Sequence, residues 1–295
     1  MVNLVRIVLG VLTAIYAVMF GKDYMESSKN GLLEAEEEKS WVKPGIIGFI
    51  ANFGDTLGIG SFAPIVAMSK FSKMKVHDKQ IPGMLNVSCT IPVVTEALIF
   101  TTTIEVEPIT LITMLAAAGA GSYIGAGIIS KMDEKKIQLV MGIALLATAI
   151  LMFLGLPWIN LMPGGGNEIG LSGVKLVIGV VGNFILGSLM TAGIGLYAPC
   201  MALVYFLGMS PKVAFPIMMG SCAVLMPIAS AKFIKEGQFP RKASLAITIG
   251  GVIGVFIAAY LVKSLPMDIL KVLVIIVILY TSFTMLKPVL SKKQA

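Results

Sequence analysis

Long apolar stretches are the feature that most constrains the fold of this chain. A run of about 20 apolar residues in a helix crosses the hydrocarbon core of a bilayer. The chain is 57% hydrophobic and 13% charged, which leaves too little polar surface for a soluble domain of 295 residues. The pattern therefore predicts an all-α integral membrane protein. The apolar blocks are 4–20, 45–68, 81–103, 109–130, 137–156, 173–206, 213–233, 244–262 and 269–286.

The polar residues exclude several function classes. The net charge is +7, but the Lys and Arg residues lie in short loops between apolar blocks, so membrane topology explains them better than nucleic-acid binding. Cys89, Cys200 and Cys222 lie inside apolar blocks without metal-ligand spacing, which indicates small buried side chains and no metal or other cofactor. His77 lies in a Lys-rich loop, and no H-E-x-x-H or G-x-S-x-G motif occurs, so we do not expect an enzyme.

Two segments of the chain repeat each other. One reads IIGFIANFGDTLGIGSFAP over 46–64, and the other reads VIGVVGNFILGSLMTAGIGLYAP over 177–199. Asn52 matches Asn183, and Ser88-Cys89 downstream matches Ser221-Cys222. Each copy is followed by three more apolar blocks, so the chain consists of a leading helix and two homologous halves. Broken, Gly-rich segments at matching places in two halves are typical of a transporter binding site.

The distribution of Lys and Arg predicts the topology, because cytoplasmic loops carry an excess of both. Segments 104–108 and 157–172 hold neither residue. We therefore expect a multi-pass plasma-membrane protein with its N-terminus outside and its C-terminus in the cytoplasm. The outside loops then include Lys212 and Lys263. Of the chain's 23 Lys and Arg, 18 lie in 22–43, 70–80, 131–136, 232–242 and 287–295.

The loop count also predicts two re-entrant hairpins. Block 173–206 starts and ends outside, and its 34 residues are fewer than the roughly 40 needed for two full crossings. Block 45–68 likewise runs from one basic loop to another. Each half is then a re-entrant helical hairpin followed by three transmembrane helices, so the second half is inverted relative to the first. The predicted segments are a leading transmembrane helix (1–21), a cytosolic charged loop or surface helix (22–43), the first half (44–157), an extracytoplasmic loop (158–172), the second half (173–288) and a cytosolic tail (289–295).

The hairpin tips favour a small anion as ligand. Half-helix N-termini present N–H groups and a positive dipole end, and glycine lets the backbone approach an oxyanion closely. Asn52 and Asn183 recur at equivalent places where polar groups are costly, which favours a binding role. A bond to their own helix is the alternative for Ser88 and Ser221, and helix packing is the alternative for any glycine. The candidate substrate-binding residues are Asn52, Gly54, Thr56, Gly58, Gly60, Ser61, Ser88, Asn183, Gly187, Ser188, Thr191, Gly193, Gly195, Tyr197 and Ser221.

Two acids lie within apolar blocks, and an acid in the membrane is a functional candidate by default. We expect Asp55 to couple transport to a proton or another cation. The alternative is that Asp55 caps the second half-helix of its hairpin. Glu96 is expected near the outer interface, in contact with water.

The Gly-rich tips carry a family resemblance. Gly58-Ile59-Gly60 and Gly193-Ile194-Gly195, in two four-block halves, resemble the TauE/SafE sulfite exporter family, whose members commonly carry a Gly-Gly-Gly run at this place. The resemblance covers nearly all of 44–288 in layout and covers the repeats at motif level. It implies transport of sulfite or of organosulfonates such as sulfoacetate.

Together these features predict a secondary transporter that moves a small anion by alternating access. An anion channel, or a permease for another small sulfur-containing or organic solute, is the alternative. The expected partners are a small anionic solute and the lipid bilayer, and not nucleic acid. Self-association into a homo-oligomer is left open.

Overall fold

The computed structural model describes residues 2–129, 134–159, 166–190 and 195–290, and these are mostly helical. The described residues contain no strand, only an isolated bridge between Glu168 and Met209. The all-α prediction is confirmed. The helices are α1 (Val2–Lys29), α2 (Leu32–Ala35), α3 (Val42–Thr56), α4 (Phe62–Phe71), α5 (Ile81–Thr103), α6 (Pro108–Ile129), α7 (Glu134–Leu154), α8 (Gly173–Met190), α9 (Tyr197–Phe206), α10 (Ala214–Glu236), α11 (Arg241–Ser264) and α12 (Met267–Leu290).

The helix lengths fit a membrane protein with two short elements. The helices α4 and α9 have ten residues each and are therefore about 15 Å long, half the thickness of a bilayer core. Six described segments are long and apolar enough to cross a membrane, which confirms the prediction of several transmembrane helices. These six are Asn3–Lys29, Ile81–Thr103, Gly173–Met190, Pro211–Glu236, Arg241–Val262 and Asp268–Lys287.

The leading helix is longer than its apolar block. Helix α1 continues to Lys29, into the segment expected to be a loop or a surface helix, and only α2 is a separate helix there. No helix-breaking residue occurs between Gly21 and Lys29. The helix ends at Asn30-Gly31, where Gly31 has φ 71°. A glycine in the left-handed region commonly ends a helix, so Asn30-Gly31 is the sequence signal for the end of α1.

The helices form two compact units. The first contains Asn3–Phe100 and Cys222–Val262. In this unit α3 lies against α11 through glycines: a Cβ added at Gly48 would overlap the backbone of Ile247, and one at Gly250 would overlap Gly45. Small residues permit this close approach of two helix backbones.

The leading helix packs into the first unit through aromatic side chains. The Tyr16 hydroxyl, at a side chain only 1% exposed, donates to the Val87 carbonyl of α5. One turn later the Phe20 ring contacts the Phe239 ring, with 5.9 Å between their centroids. Burial of these rings fixes α1 against the loop before α11.

The second unit contains Thr101–Ser221 and Lys263–Ala295. Here α8 lies against α6: a Cβ at Gly187 would overlap the Ala118 carbonyl oxygen, and one at Gly121 would overlap the Phe184 carbonyl oxygen. Helices α8 and α9 run antiparallel. A Cβ at Gly182 would meet Leu203 at 2.8 Å, and one at Gly179, a turn earlier on α8, would meet Leu207, the C-cap residue of α9, at 3.3 Å. This segment is therefore a helical hairpin.

The internal packing of the two units is equivalent. In the first unit α3, the first helix of its hairpin, lies against α11, the second long helix after the other hairpin. In the second unit α8 lies in the same way against α6. The repeat-equivalent residues Phe53 and Phe184 both approach a glycine of that helix, Gly254 and Gly121 respectively. The division of the chain into two homologous halves stays a prediction. The inversion of one half relative to the other across a bilayer stays a prediction.

The basic loops of the first unit lie together. The backbone N–H of Lys75, after α4, donates to the Glu38 carboxylate before α3 at 3.1 Å. Burial by itself raises the pKa of Glu38, but the Lys75 and Ser40 N–H groups and the Lys43 ammonium outweigh it and leave the pKa below its ordinary value. The N–H of Arg241 donates to Glu36, and the Arg241 guanidinium pairs with Asp23 at 2.8 Å. The loops before and after the first hairpin, 22–43 and 70–80, are thus joined at one end.

The loops predicted to lie outside also lie together in the second unit. They lack Lys and Arg or carry only Lys212. The N–H of Ser210, after α9, donates to the Glu168 carbonyl before α8 at 2.9 Å. The N–H of Glu107, before α6, donates to the Ile169 carbonyl at 2.9 Å. The second hairpin therefore begins and ends at one place. This grouping of loops agrees with the sides of the membrane that the charge distribution predicts, while the sides themselves stay predictions.

Candidate functional site

The tip of the first hairpin is a tight turn between α3 and α4. Gly58 and Gly60 have φ 96° and 87°, a backbone region that favours glycine. The Gly58 N–H donates to the Asp55 carbonyl at 2.7 Å, and the Ile59 N–H donates to the Gly54 carbonyl at 3.0 Å. The Gly-x-Gly sequence is thus the local reason that the chain can reverse here.

Asp55 lies in the last turn of α3 and is only 2% exposed. The Ser61 hydroxyl, 3% exposed, donates to Asp55 Oδ2 at 3.1 Å, and the Ser61 backbone N–H also interacts with this carboxylate. Ser61 is the N-cap residue of α4. The carboxylate is therefore placed at the start of α4, the position that the capping alternative requires.

Glu96 is not at a wet interface. Its side chain is 0% exposed, and its Oε1 lies 2.7 Å from the Thr56 hydroxyl at the end of α3. Thr56 is also 0% exposed and lies 2.9 Å from the Asn52 carbonyl oxygen. The expectation of a solvated Glu96 is wrong because α3 covers this part of α5. The sequence signal was available, since an acid within an apolar block is costly unless it has a purpose.

Asn52 and Asn183 share one unusual property. Both side chains are 0% exposed, and both Oδ1 atoms are buried without a hydrogen-bond donor. The Asn52 amide N–H donates to the Gly48 carbonyl at 2.8 Å, and that of Asn183 donates to the Met114 carbonyl at 2.7 Å. A carbonyl accepts only, so these partners fix which end of each amide is nitrogen. Each asparagine thus keeps a free acceptor in a place where unpaired polar atoms are rare.

The surroundings of the two asparagines differ. Asn183 has a second polar partner, since its Nδ2 lies 3.0 Å from the Ser221 hydroxyl of α10. Asn52 instead lies against the α11 backbone, where a Cβ at Gly251 would meet its Nδ2 at 2.6 Å and Pro92 of α5 at 2.9 Å. The structure therefore places each asparagine among three helices of its own unit.

The other candidate hydroxyls bond mainly to helix backbones. Ser188 donates to the Gly121 carbonyl at 2.8 Å or to the Phe184 carbonyl at 2.9 Å, and Ser221 donates to the Ile217 carbonyl at 2.7 Å. The Ser88 hydroxyl lies 3.7 Å from the Cys89 sulfur. All three serines are buried. These bonds are those of residues that join or stiffen helices.

The second tip is described only in part. Thr191 and Gly193 lie outside the described residues. Gly195 is exposed, whereas Leu196 and Tyr197 at the start of α9 are buried, at 1% and 7% exposed. Leu196 is the N-cap residue and makes no side-chain capping bond. A buried helix N-terminus without such a cap is a place where an anion is stabilised.

Comparison with known proteins gives the family. The family model described as sulfite exporter TauE/SafE matches residues 2–152 and 175–295 of this chain. The protein belongs to the TauE/SafE family. TauE/SafE is a family of membrane transporters, and the resemblance indicated by the Gly-rich repeats is confirmed. No curated protein and no solved structure matches the chain.

Proposed function

We propose that this TauE/SafE protein is a secondary transporter that moves sulfite or a small organosulfonate, of the sulfoacetate type, across the plasma membrane by alternating access. The single observation that carries the proposal is the pair Asn52 and Asn183. They are repeat-equivalent, fully buried, and each retains an acceptor oxygen without a donor. In a transporter family, unpaired polar atoms in both hairpins are best explained by a ligand that pairs with them in part of the cycle.

The chemistry of the hairpins fits an oxyanion with a proton or a hydration shell. The Asn oxygens accept, so they pair with the O–H of a singly protonated oxyanion such as hydrogen sulfite, or with a water of the anion's shell. The N-terminus of α9 supplies a positive dipole end, whereas the Asp55 carboxylate lies at the N-terminus of α4. No Lys or Arg occurs in 44–69 or in 176–211. Binding through dipoles rather than full charges permits release, which transport requires.

The proposal includes topology and coupling. The N-terminus lies outside and the C-terminus in the cytoplasm, with hairpins that enter from opposite faces. A buried acid of the first unit couples anion movement to protons. The solute is the expected partner in the bilayer, and assembly into a homo-oligomer is left open.

Substitution of the asparagines tests the binding role. Asn183→Ala and Asn52→Ala should each weaken sulfite binding by about 1–3 kcal/mol, the range for a hydrogen bond to a charged group. The measurement is the shift of the thermal unfolding midpoint of the detergent-purified protein over a sulfite titration, with sulfate, sulfoacetate, taurine and thiosulfate in parallel.

Asn86→Ala is the matched control, because Asn86 is only partly buried and its amide bonds the Pro82 carbonyl of its own helix. Its sulfite affinity should equal that of the wild type. Unchanged affinity in both Asn52→Ala and Asn183→Ala would remove these residues from the site. Large unitary currents in planar bilayers would contradict a carrier and favour a channel.

A further inference from the structure

We propose that Glu96 carries the coupling proton and donates it in a hydrogen bond to the Thr56 hydroxyl, beside the free Asn52 oxygen. Asp55 is then the ionised cap of α4. This inference rests on the proposed function and names the carboxyl that binds the proton. It assigns a site to Glu96 and separates the roles of the two buried acids of the first unit.

The first step is the count of protons at Thr56. Its hydroxyl lies 2.9 Å from the Asn52 carbonyl oxygen and 2.7 Å from Glu96 Oε1, and both are hydrogen-bond distances. A threonine hydroxyl has one proton to donate, and a backbone carbonyl only accepts. If Thr56 donates to an ionised Glu96, its contact with the Asn52 carbonyl is not a full hydrogen bond; both contacts are full hydrogen bonds only when Thr56 donates to Asn52 and Glu96 donates to Thr56. Glu96 then carries a proton.

The second step is independent of that bond and concerns Asn52. Its side chain is 0% exposed and lies one helical turn before Thr56 on α3, next to Pro92, which is one turn before Glu96 on α5. Its Oδ1 has no donor, and its nitrogen end is fixed by the Gly48 carbonyl. An acceptor without a donor, buried on this same face, marks a place for a proton-bearing group. It therefore provides a hydrogen-bond acceptor beside Glu96 for a proton-bearing group such as a water or a protonated anion.

The third step assigns Asp55. Its carboxylate is oriented by the hydroxyl and the backbone N–H of Ser61 at the N-terminus of α4. Burial opposes the charge of this carboxylate, and the donated hydrogen bonds and the positive dipole end of α4 favour it. The Cys89 thiol of α5 also interacts with these two acids. Two negative charges buried in one unit are costly, so an ionised Asp55 favours a proton on Glu96.

The transport step then balances in charge. One proton bound at Glu96 moves with one singly charged anion, so no net charge crosses the membrane. At equilibrium a pH difference of one unit would support up to about tenfold accumulation of the anion. The second hairpin has no acid between Gly173 and Phe206. Of the two hairpins, only the first contains an acid in its sequence.

The experiment measures sulfite flux in proteoliposomes with and without a pH gradient. The wild type should accumulate sulfite up to about tenfold per pH unit, and Glu96→Gln should lose this accumulation while it retains sulfite–sulfite exchange at one pH. Asp55→Asn should retain the accumulation, because asparagine keeps the capping ability. Accumulation by Glu96→Gln, loss confined to Asp55→Asn, or drive by a sodium gradient alone would overturn the proposal. Absence of exchange in the wild type would instead contradict the proposed function.

An infrared measurement keeps the test independent of transport. The purified wild type at neutral pH should show the C=O band of a protonated, buried carboxyl group, shifted in D2O. The band should be absent in Glu96→Gln and present in Asp55→Asn. Loss of the band in Asp55→Asn and its survival in Glu96→Gln would overturn the assignment.

Discussion

At the scale of the residue, the carbonyl freed by Pro92 shows how polar side chains stabilise an apolar unit. Pro92 lies inside α5 and has no N–H, so the Ser88 carbonyl one turn earlier lacks its helical donor. The Thr248 hydroxyl of α11 donates to this carbonyl at 2.8 Å, at a side chain 4% exposed. A neighbouring helix thus replaces the bond that the proline removes, as expected where water is absent.

Removal of that hydroxyl should destabilise the first unit. Thr248→Val keeps the shape of the side chain but leaves the buried Ser88 carbonyl unpaired, which costs about 1–3 kcal/mol. Thermal unfolding in detergent should show a lower midpoint, and Thr248→Ser should restore it. Thr281→Val is the control, since the Thr281 hydroxyl bonds only the Val277 carbonyl of its own helix at 2.9 Å. Equal midpoints for Thr248→Val and Thr281→Val would refute the role.

Sequence patterns located some of these residues and missed others for a physical reason. The repeat drew attention to Asn52 and Asn183, because equivalent polar residues in two apolar blocks are unlikely without a purpose. Glu96 was placed in water because it lies in the outer part of its block. Its burial depends on α3, about 40 residues away in the chain. Hydropathy along one block contains no information about such a neighbour.

At the scale of the element, glycines decide which helices meet. Gly48 of α3 contacts the Ile247 backbone of α11, and Gly121 of α6 contacts the Phe184 backbone of α8. The sequence left helix packing open as the role of each glycine, and the Gly-rich tips predicted the chain reversals. The partners α3 with α11 and α6 with α8 could not be predicted, because a small residue indicates close approach but not which helix approaches.

Alanine substitutions at these two contacts should separate the effect of helix–helix packing on stability from the effect of helix propensity. Gly48→Ala and Gly121→Ala place a methyl group against backbone, and overpacking of this kind costs about 1–3 kcal/mol. Gly21→Ala is the control, since nothing lies within 4 Å of a Cβ added there and alanine favours a helix by up to about 1 kcal/mol. The unfolding midpoint in detergent should fall for the first two variants and should stay equal or rise for Gly21→Ala. A fall of the same size in all three would contradict the packing interpretation.

At the scale of the whole molecule, the loops around each hairpin decide whether a segment crosses the membrane. The N–H of Lys75 bonds Glu38 across the first hairpin, and the N–H of Ser210 bonds Glu168 across the second. The two ends of each hairpin therefore lie close together, as a re-entrant hairpin requires. Charge counting predicts that each hairpin begins and ends on one side of the membrane, since Lys and Arg record the side of each loop, and this side stays a prediction. It could not predict the bonds themselves, which depend on backbone geometry.

Cysteine labelling in intact cells tests the topology of the molecule. Native Cys89, Cys200 and Cys222 are at most 2% exposed, so they should not react with a membrane-impermeant maleimide and can stay in place. Asn167→Cys precedes α8 and Lys212→Cys follows α9, and both should be labelled from outside. Lys39→Cys precedes α3 and His77→Cys follows α4, and both should be labelled only after the cells are permeabilised. If Asn167→Cys and Lys212→Cys react from opposite sides, the second hairpin crosses the membrane and the re-entrant topology is wrong. If both react only after permeabilisation, the hairpin stands and the predicted orientation is reversed.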